Sequence, residues 1–286
     1  MRSYSFLFFI FLFHNLNGQA LSDELRFAQH LVVKKNYEEA IFVLNTLQQN
    51  PKLSLIQRDS IHIFLGNIYY NQKDLLRSNN HFDSVSVVSH RLSSEAIFFS
   101  SFNRAYLKSY SEAKQKMIRY VPIDSTERQL RFLELAGLSL LQRDFKKFDS
   151  LQYFLTPTNF VTDLQEKDLR EQQKKILSQP KKSPFVAAAL SAIVPGAGKF
   201  YAGNKGQGVY TLLISAVLGL QAWEGYHKDG PSSVRFIAYG TLFTSLYIGT
   251  IWGSAFSVKL RRDQLNETIN DQILFDMHIP LRTFFH

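Results

Sequence analysis

The sequence predicts an all-α protein in two parts, a region of repeated helix pairs followed by a helical membrane domain. Four short segments of one shape recur with their second positions at Tyr37, Leu75, Tyr110 and Phe145, a spacing of 38, 35 and 35 residues. Three uncharged stretches crowd the second half, Ser183 to Gly198, Gly206 to Trp223 and Phe236 to Val258. Between residues 21 and about 178 the apolar residues fall at helical spacing with little strand alternation, and only eight prolines occur in the chain.

The repeats come first in the argument. The segments are Asn36-Tyr37-Glu38-Glu39-Ala40, Asp74-Leu75-Leu76-Arg77-Ser78, Ser109-Tyr110-Ser111-Glu112-Ala113 and Asp144-Phe145-Lys146-Lys147-Phe148. A period near 35 residues is that of a two-helix unit that buries its apolar face only by stacking on its neighbours. Tyr37, Ala40, Tyr110 and Ala113 resemble the aromatic-x-x-Ala turn of a tetratricopeptide repeat, and Leu65-Gly66-Asn67-Ile68-Tyr69 resembles its first-helix Leu-Gly-x-x-Tyr. The resemblance covers residues 21–160 and implies a tetratricopeptide-like helical repeat solenoid, with Gly66 and Tyr69 beside Tyr37, Ala40, Tyr110, Ala113 and Phe145 in the seams. Ser78 and Phe148 stand where that family has Ala, and a non-repeating helical bundle is the alternative. Solenoids bind peptides or proteins more often than they catalyse.

Residues 161–183 read as a charged capping helix and linker, stopped by Pro180 and Pro184. A membrane domain over 184–258 follows, with two or three apolar helices, and then a C-terminal tail over 259–286. A span needs about 18 or more apolar residues, so the 23-residue third stretch is the strong candidate, the 18-residue second is adequate and the 16-residue first is marginal. The first is either a short tilted span or a re-entrant half-helix. In the third, Ser245, Gly249, Gly253 and Ser257 recur every four residues, a stripe that lets another helix approach closely and offers a route to homo- or hetero-oligomers.

Pro195, Gly196, Gly198, Tyr201 and Gly203 form a Pro-Gly-x-Gly-x-x-Tyr-x-Gly signature, with Gly206 and Gly208 opening the next stretch. This resembles small bacterial membrane domains related to the two-transmembrane family. The resemblance implies a membrane turn and no catalytic residue. Lys199, Phe200 and Lys205 are expected at the interface, the lysines reaching lipid phosphates.

Residues 1–20 carry Arg2, the apolar run Phe6 to Phe13, and Gly18 and Ala20 at the −3 and −1 positions of a cut after Ala20. That pattern reads as a signal peptide, which places the repeats in the periplasm of a bacterial inner membrane. Three crossings would then put the tail in the cytoplasm with Lys259, Arg261 and Arg262, against four lysines, Lys174, Lys175, Lys181 and Lys182, left outside.

Composition narrows the chemistry. With no cysteine there is no thiol nucleophile, thiolate metal site or disulfide. The eight histidines form no metal motif, no Gly-x-Ser-x-Gly elbow occurs, and the apolar stretches hold no ionisable residue. A net charge of +9 without a basic stripe interleaved with aromatics points to anionic lipid and away from nucleic acid. The expectation is a non-enzymatic, cofactor-free, membrane-anchored envelope protein whose repeats bind a protein or peptide. The alternative is an accessory subunit of a transporter or lipid-handling complex.

Overall fold

The computed structural model describes residues 23–155 and 161–285; the expected signal peptide lies outside them. All regular structure among the described residues is helical. The chain divides into two compact units, one formed by residues 1–170 with 273–286, the other by residues 171–272.

The first unit is built of helix hairpins. Helices α1 (residues 23–33), α2 (Tyr37–Gln48), α3 (Leu55–Asn71), α4 (Leu75–Asp83), α5 (His90–Tyr106), α6 (Tyr110–Arg119), α7 (Ser125–Leu141) and α8 (Phe145–Gln152) follow in order. From α2 to α8 each packs on the next, and α3 also meets α5. Four turns, α1–α2, α3–α4, α5–α6 and α7–α8, share one geometry. Lys35, Lys73, Lys108 and Arg143 adopt φ of 63°, 65°, 64° and 59°. Each next residue donates its N–H five residues back, Asn36 to Leu31, Asp74 to Tyr69, Ser109 to Arg104 and Asp144 to Ser139, at 2.8–2.9 Å. This is the helix ending in which one left-handed residue lets the chain satisfy its last carbonyls. Long side chains accept that conformation at a cost of about 1–2 kcal/mol each, so the turn is imposed by packing on both sides. The left-handed positions carry the same 38, 35, 35 spacing as the turn residues that follow them.

Small buried residues explain how closely the paired helices approach. Ala28, Gly66, Ser101 and Ala136 repeat on the first helix of each pair with the same period, facing Ala40, Ser78, Ala113 and Phe148 on the second. Ser78 Oγ donates to Gly66 O at 2.9 Å and Ser101 Oγ to Ala113 O at 3.1 Å. Ser78 and Phe148 thus fill the positions where the resemblance expects Ala. A Cβ on Gly66 would stand 2.6 Å from the Phe82 ring. Tyr69 is buried and stacked on His81 at 5.4 Å, and Tyr37, Tyr110 and Phe145 are half-buried in the turns.

The second unit contains the end of α9 (Asp163–Leu177), α10 (Pro184–Ile193), α11 (Ala197–Ala202), α12 (Lys205–Asp229) and most of α13 (Val234–Phe285). The segment 161–183 holds α9 and the stretch before α10, and residues 259–285 continue α13. The unit boundary cuts through α9, and α13 runs unbroken for 52 residues from the third apolar stretch to the last described residue. It is the one helix among the described residues that is long and apolar enough to cross a membrane by hydropathy, with only 6% of its apolar window buried.

Replacing Gly66 with Ala is expected to destabilise the protein by about 1–3 kcal/mol, because the Phe82 ring cannot retreat from a buried seam. Urea unfolding of the full-length chain in neutral detergent checks this through the midpoint of the helical signal.

Candidate functional site

The last turns of α13 lie against α3, α5 and α7. Ile273, Met277 and Leu281 are completely buried and Leu274 nearly so, an apolar stripe at the three- and four-residue spacing of one helix face. Met277 occupies the space beside Gly137 of α7; a Cβ there would come within 2.6 Å of Met277 Cγ. His278 hydrogen-bonds the Tyr70 hydroxyl of α3 and stacks on Phe102 of α5 at 4.9 Å. Phe285 meets Phe98 and Phe99 of α5 at 5.6 and 6.1 Å. Burying each of the four aliphatic side chains stabilises the contact by about 1.5–3 kcal/mol before ordering costs. The face that a stacked helical array offers to a ligand is thus filled by residues 273–285 of the same chain.

A titratable group lies under that contact. Glu134, one turn before Gly137 on α7, is fully buried and neither carboxylate oxygen has a hydrogen-bond partner. Burial pushes its pKa well above the ordinary value of 4.5. Tyr70 is shifted up as well, chiefly by burial, and feels Arg282 of α13 together with Glu134 and Tyr106.

Other polar clusters in this unit join helices. Glu127 at the start of α7 accepts from Tyr120 Oη at 2.6 Å and from the Ile123 N–H at 3.0 Å, and pairs with His90 Nε2 at 2.9 Å. Burial pulls its pKa upward, and these hydrogen bonds outweigh that and keep it below the ordinary value. Ser94 Oγ meets Tyr120 Oη at 2.8 Å and donates to Glu127 at 3.3 Å, joining the same cluster. Asp83 binds Arg104 at 2.6 Å and Lys116 at 2.5 Å, tying α4, α5 and α6 together. No group of three or more His, Asp or Glu able to hold a metal occurs among the described residues.

In the second unit the glycine-rich signature builds a helical hairpin. Gly196 (φ 87°) caps the start of α11 and Gly203 (φ 99°) its end, both in the left-handed region that favours glycine. Between them Gly198 lies against the backbone carbonyl of Ala187 so closely that no side chain fits, and its N–H donates to Ser191 Oγ at 2.9 Å. Tyr201 Oη accepts from the Ser183 N–H at 3.1 Å. The residue that enters α10 and the end of α11 therefore stand together: α10 and α11 go in and come back. Pro195 precedes this reversal. Gly208 gives room to the Phe200 ring at 2.6 Å, while Gly206 has open space around it.

Several expected site residues sit differently. The Lys199 ammonium turns inward and donates to Thr211 Oγ1 at 2.9 Å, because the short α11 points it at α12 rather than outward. Phe200 stays 40% exposed and Lys205 is exposed, as interfacial residues would be. Along the small-residue stripe of α13 exposure varies, and Ser257 is buried. Ser245 and Gly249 are exposed, and Gly249 and Gly253 face open space. The side that meets α10 holds Tyr247, whose hydroxyl donates to Ala192 O at 2.6 Å, and Ser254, which bonds Ser191 Oγ at 2.7 Å, with buried Ser257 and Val258. At the other end of α12 and α13, Glu224 pairs with Lys228 and Arg235, both at 2.7 Å.

The stripe Ile273, Leu274, Met277, Leu281 was visible in the sequence as a helical apolar face, yet nothing local says what covers it. Compared with known families, curated proteins and solved structures, the chain matches none.

Two outcomes follow. Gly137→Leu should displace Met277 and release the terminal helix, so that amide exchange at residues 273–285 accelerates by about a hundredfold while α3 and α5 keep their protection. Glu134→Gln should raise stability at pH 7. Below pH 4.5 both folded and unfolded states of the native carboxyl are protonated and the substitution gains little. Above it the unfolded chain ionises and the buried group does not, so the native protein loses about 1.4 kcal/mol per pH unit until the folded pKa is reached. Urea midpoints of the two proteins from pH 4 to 8 should diverge with rising pH.

Proposed function

We propose that the protein is a non-enzymatic membrane-anchored binding protein. A tetratricopeptide-like repeat domain takes an amphipathic helix from a protein or peptide partner, and its own C-terminal helix is the resident occupant of that face. The observation that carries this reading is the seating of residues 273–285, with Met277 beside Gly137 and His278 between Tyr70 and Phe102. It defines the ligand by chemistry: a helix with an aliphatic stripe, one aromatic at its end and a hydrogen-bonding ring in the middle.

The membrane arrangement proposed with it has two crossings, α12 and the first half of α13, and α10–α11 as a re-entrant hairpin. Three considerations support it. The Tyr201–Ser183 bond returns the end of α11 to the start of α10. The last turns of α13 pack on the repeats, which requires an even number of crossings between them. Exposed Leu213, Val217, Leu220, Ile248, Trp252 and Phe256 give α12 and α13 the apolar outer surface that lipid demands. This arrangement differs from the three crossings expected from the sequence in turning the 16-residue first stretch back.

With the leader at residues 1–20, both the repeats and the C-terminal helix face the periplasm. The lysines before α10 and the cations after the last apolar stretch then stand together on that side, against the positive-inside rule. Cations kept where insertion disfavours them call for another use. The runner-up, an accessory subunit of a lipid-handling complex, gains its support from the cavity those cations line.

The binding claim is checked with a fluorescent peptide of residues 267–286. A tethered helix competes at an effective concentration in the millimolar range, so a chain truncated after residue 272 should bind the peptide roughly a hundredfold tighter than the intact chain. Equal binding to both chains contradicts the reading.

A further inference from the structure

The second unit encloses a cavity of about 540 Å³ whose wall is drawn from three separate places in the sequence. The linker before α10 supplies Lys181 and Lys182, the end of α11 supplies Gly203, and α13 supplies Arg261 and Arg262 just past its uncharged stretch. No Asp or Glu lines it. Nor does any of these four cations form an ion pair with a carboxylate among the described residues. Four like charges around one small space repel each other, and an anion between them reverses that cost.

Two details show that the space is shaped. The Lys182 ammonium is held 5.6 Å over the Tyr201 ring, beside Gly203, whose φ of 99° favours glycine. The Gln179 side-chain amide also lines the cavity, and its Nε2 is buried without an acceptor. A buried donor without a partner is uncommon, and an acceptor in the cavity would satisfy it. Four cations and this amide among the lining side chains suit phosphate oxygens. Beneath them Val258 and Leu265 give an apolar floor, and Val258 ends the 23-residue stretch that runs into the hydrocarbon layer, which sets the cavity at headgroup depth.

We propose that this cavity binds the phosphate-bearing headgroup of an anionic phospholipid, with the cations and Gln179 on the phosphate and the apolar floor under the glycerol. The inference rests on the membrane reading of α12 and α13 and is independent of peptide binding at the repeats.

The test titrates full-length protein in neutral detergent with fluorescent phosphatidylglycerol, phosphatidylcholine and inorganic phosphate as competitor. Arg261→Gln with Arg262→Gln, and separately Lys181→Gln with Lys182→Gln, should each weaken phosphatidylglycerol binding by about thirtyfold. Lys174→Gln with Lys175→Gln removes the same charge outside the cavity and should change it less than about threefold. Should one cavity pair fail to fold, the other decides. Unchanged binding in the folded cavity pairs, or equal binding of phosphatidylcholine, overturns the site. Inorganic phosphate that binds as tightly as the lipid overturns the lipid source and leaves a free-anion site. Carbonate washing of membranes runs in parallel: release of the intact chain overturns the membrane reading and with it the lipid assignment, whereas loss of peptide binding has no bearing on either.

Discussion

The contact between Met277 and the bare backbone at Gly137 constrains more of this molecule than any other. It joins a helix near residue 280 to a repeat that ends near residue 150, and it does so by shape, since any side chain at position 137 would occupy the same space. Tyr70, Phe98, Phe99 and Phe102 then close around His278 and Phe285, so that three successive first helices share one ligand. Because stacked repeats touch only their neighbours, a helix laid across α3, α5 and α7 couples units that otherwise communicate one step at a time.

The second unit is organised around the short hairpin of α10 and α11. Gly198 allows α11 to lie on the Ala187 carbonyl, and Tyr201 fastens its end to Ser183. Polar contacts of Ser191 with Ser254 and of Tyr247 with Ala192 satisfy groups that would be expensive to leave open in an apolar layer. The outcome gathers Lys181, Lys182, Arg261 and Arg262 at one level, although some eighty residues of chain separate the two pairs. The hairpin therefore also supplies part of the wall of the cationic cavity.

How much of this was legible follows from where each signal resides. The repeat period was readable because the turn residues Tyr37, Leu75, Tyr110 and Phe145 carry it. The left-handed residues before them were not, because Lys and Arg give no glycine-like mark of that conformation. Gly66 pointed to its seam, whereas Ala28, Ser101 and Ala136 do the same work with residues too common to notice. In α13 the small residues were legible, but the sequence does not say which side α10 occupies, and it is Tyr247 and Ser254 that meet it. The docking stripe at 273–281 is interrupted by Asp276, His278 and Pro280 and resembles an ordinary tail until the face 208 residues earlier is in view. Gly137 was passed over for the same reason, its partner being remote.

The measurement that bears most directly on this account is which side of the membrane the two ends of the first unit occupy, and a chain without cysteine makes it simple. Single cysteines at the exposed positions Ser178, Ser232 and Thr283 can be labelled in intact cells with a membrane-impermeant maleimide. The account predicts that Ser178→Cys and Thr283→Cys react together from one side and that Ser232→Cys reacts only from the other. Labelling of positions 178 and 283 from opposite sides would contradict it, because residues 273–285 could not then lie on the repeats.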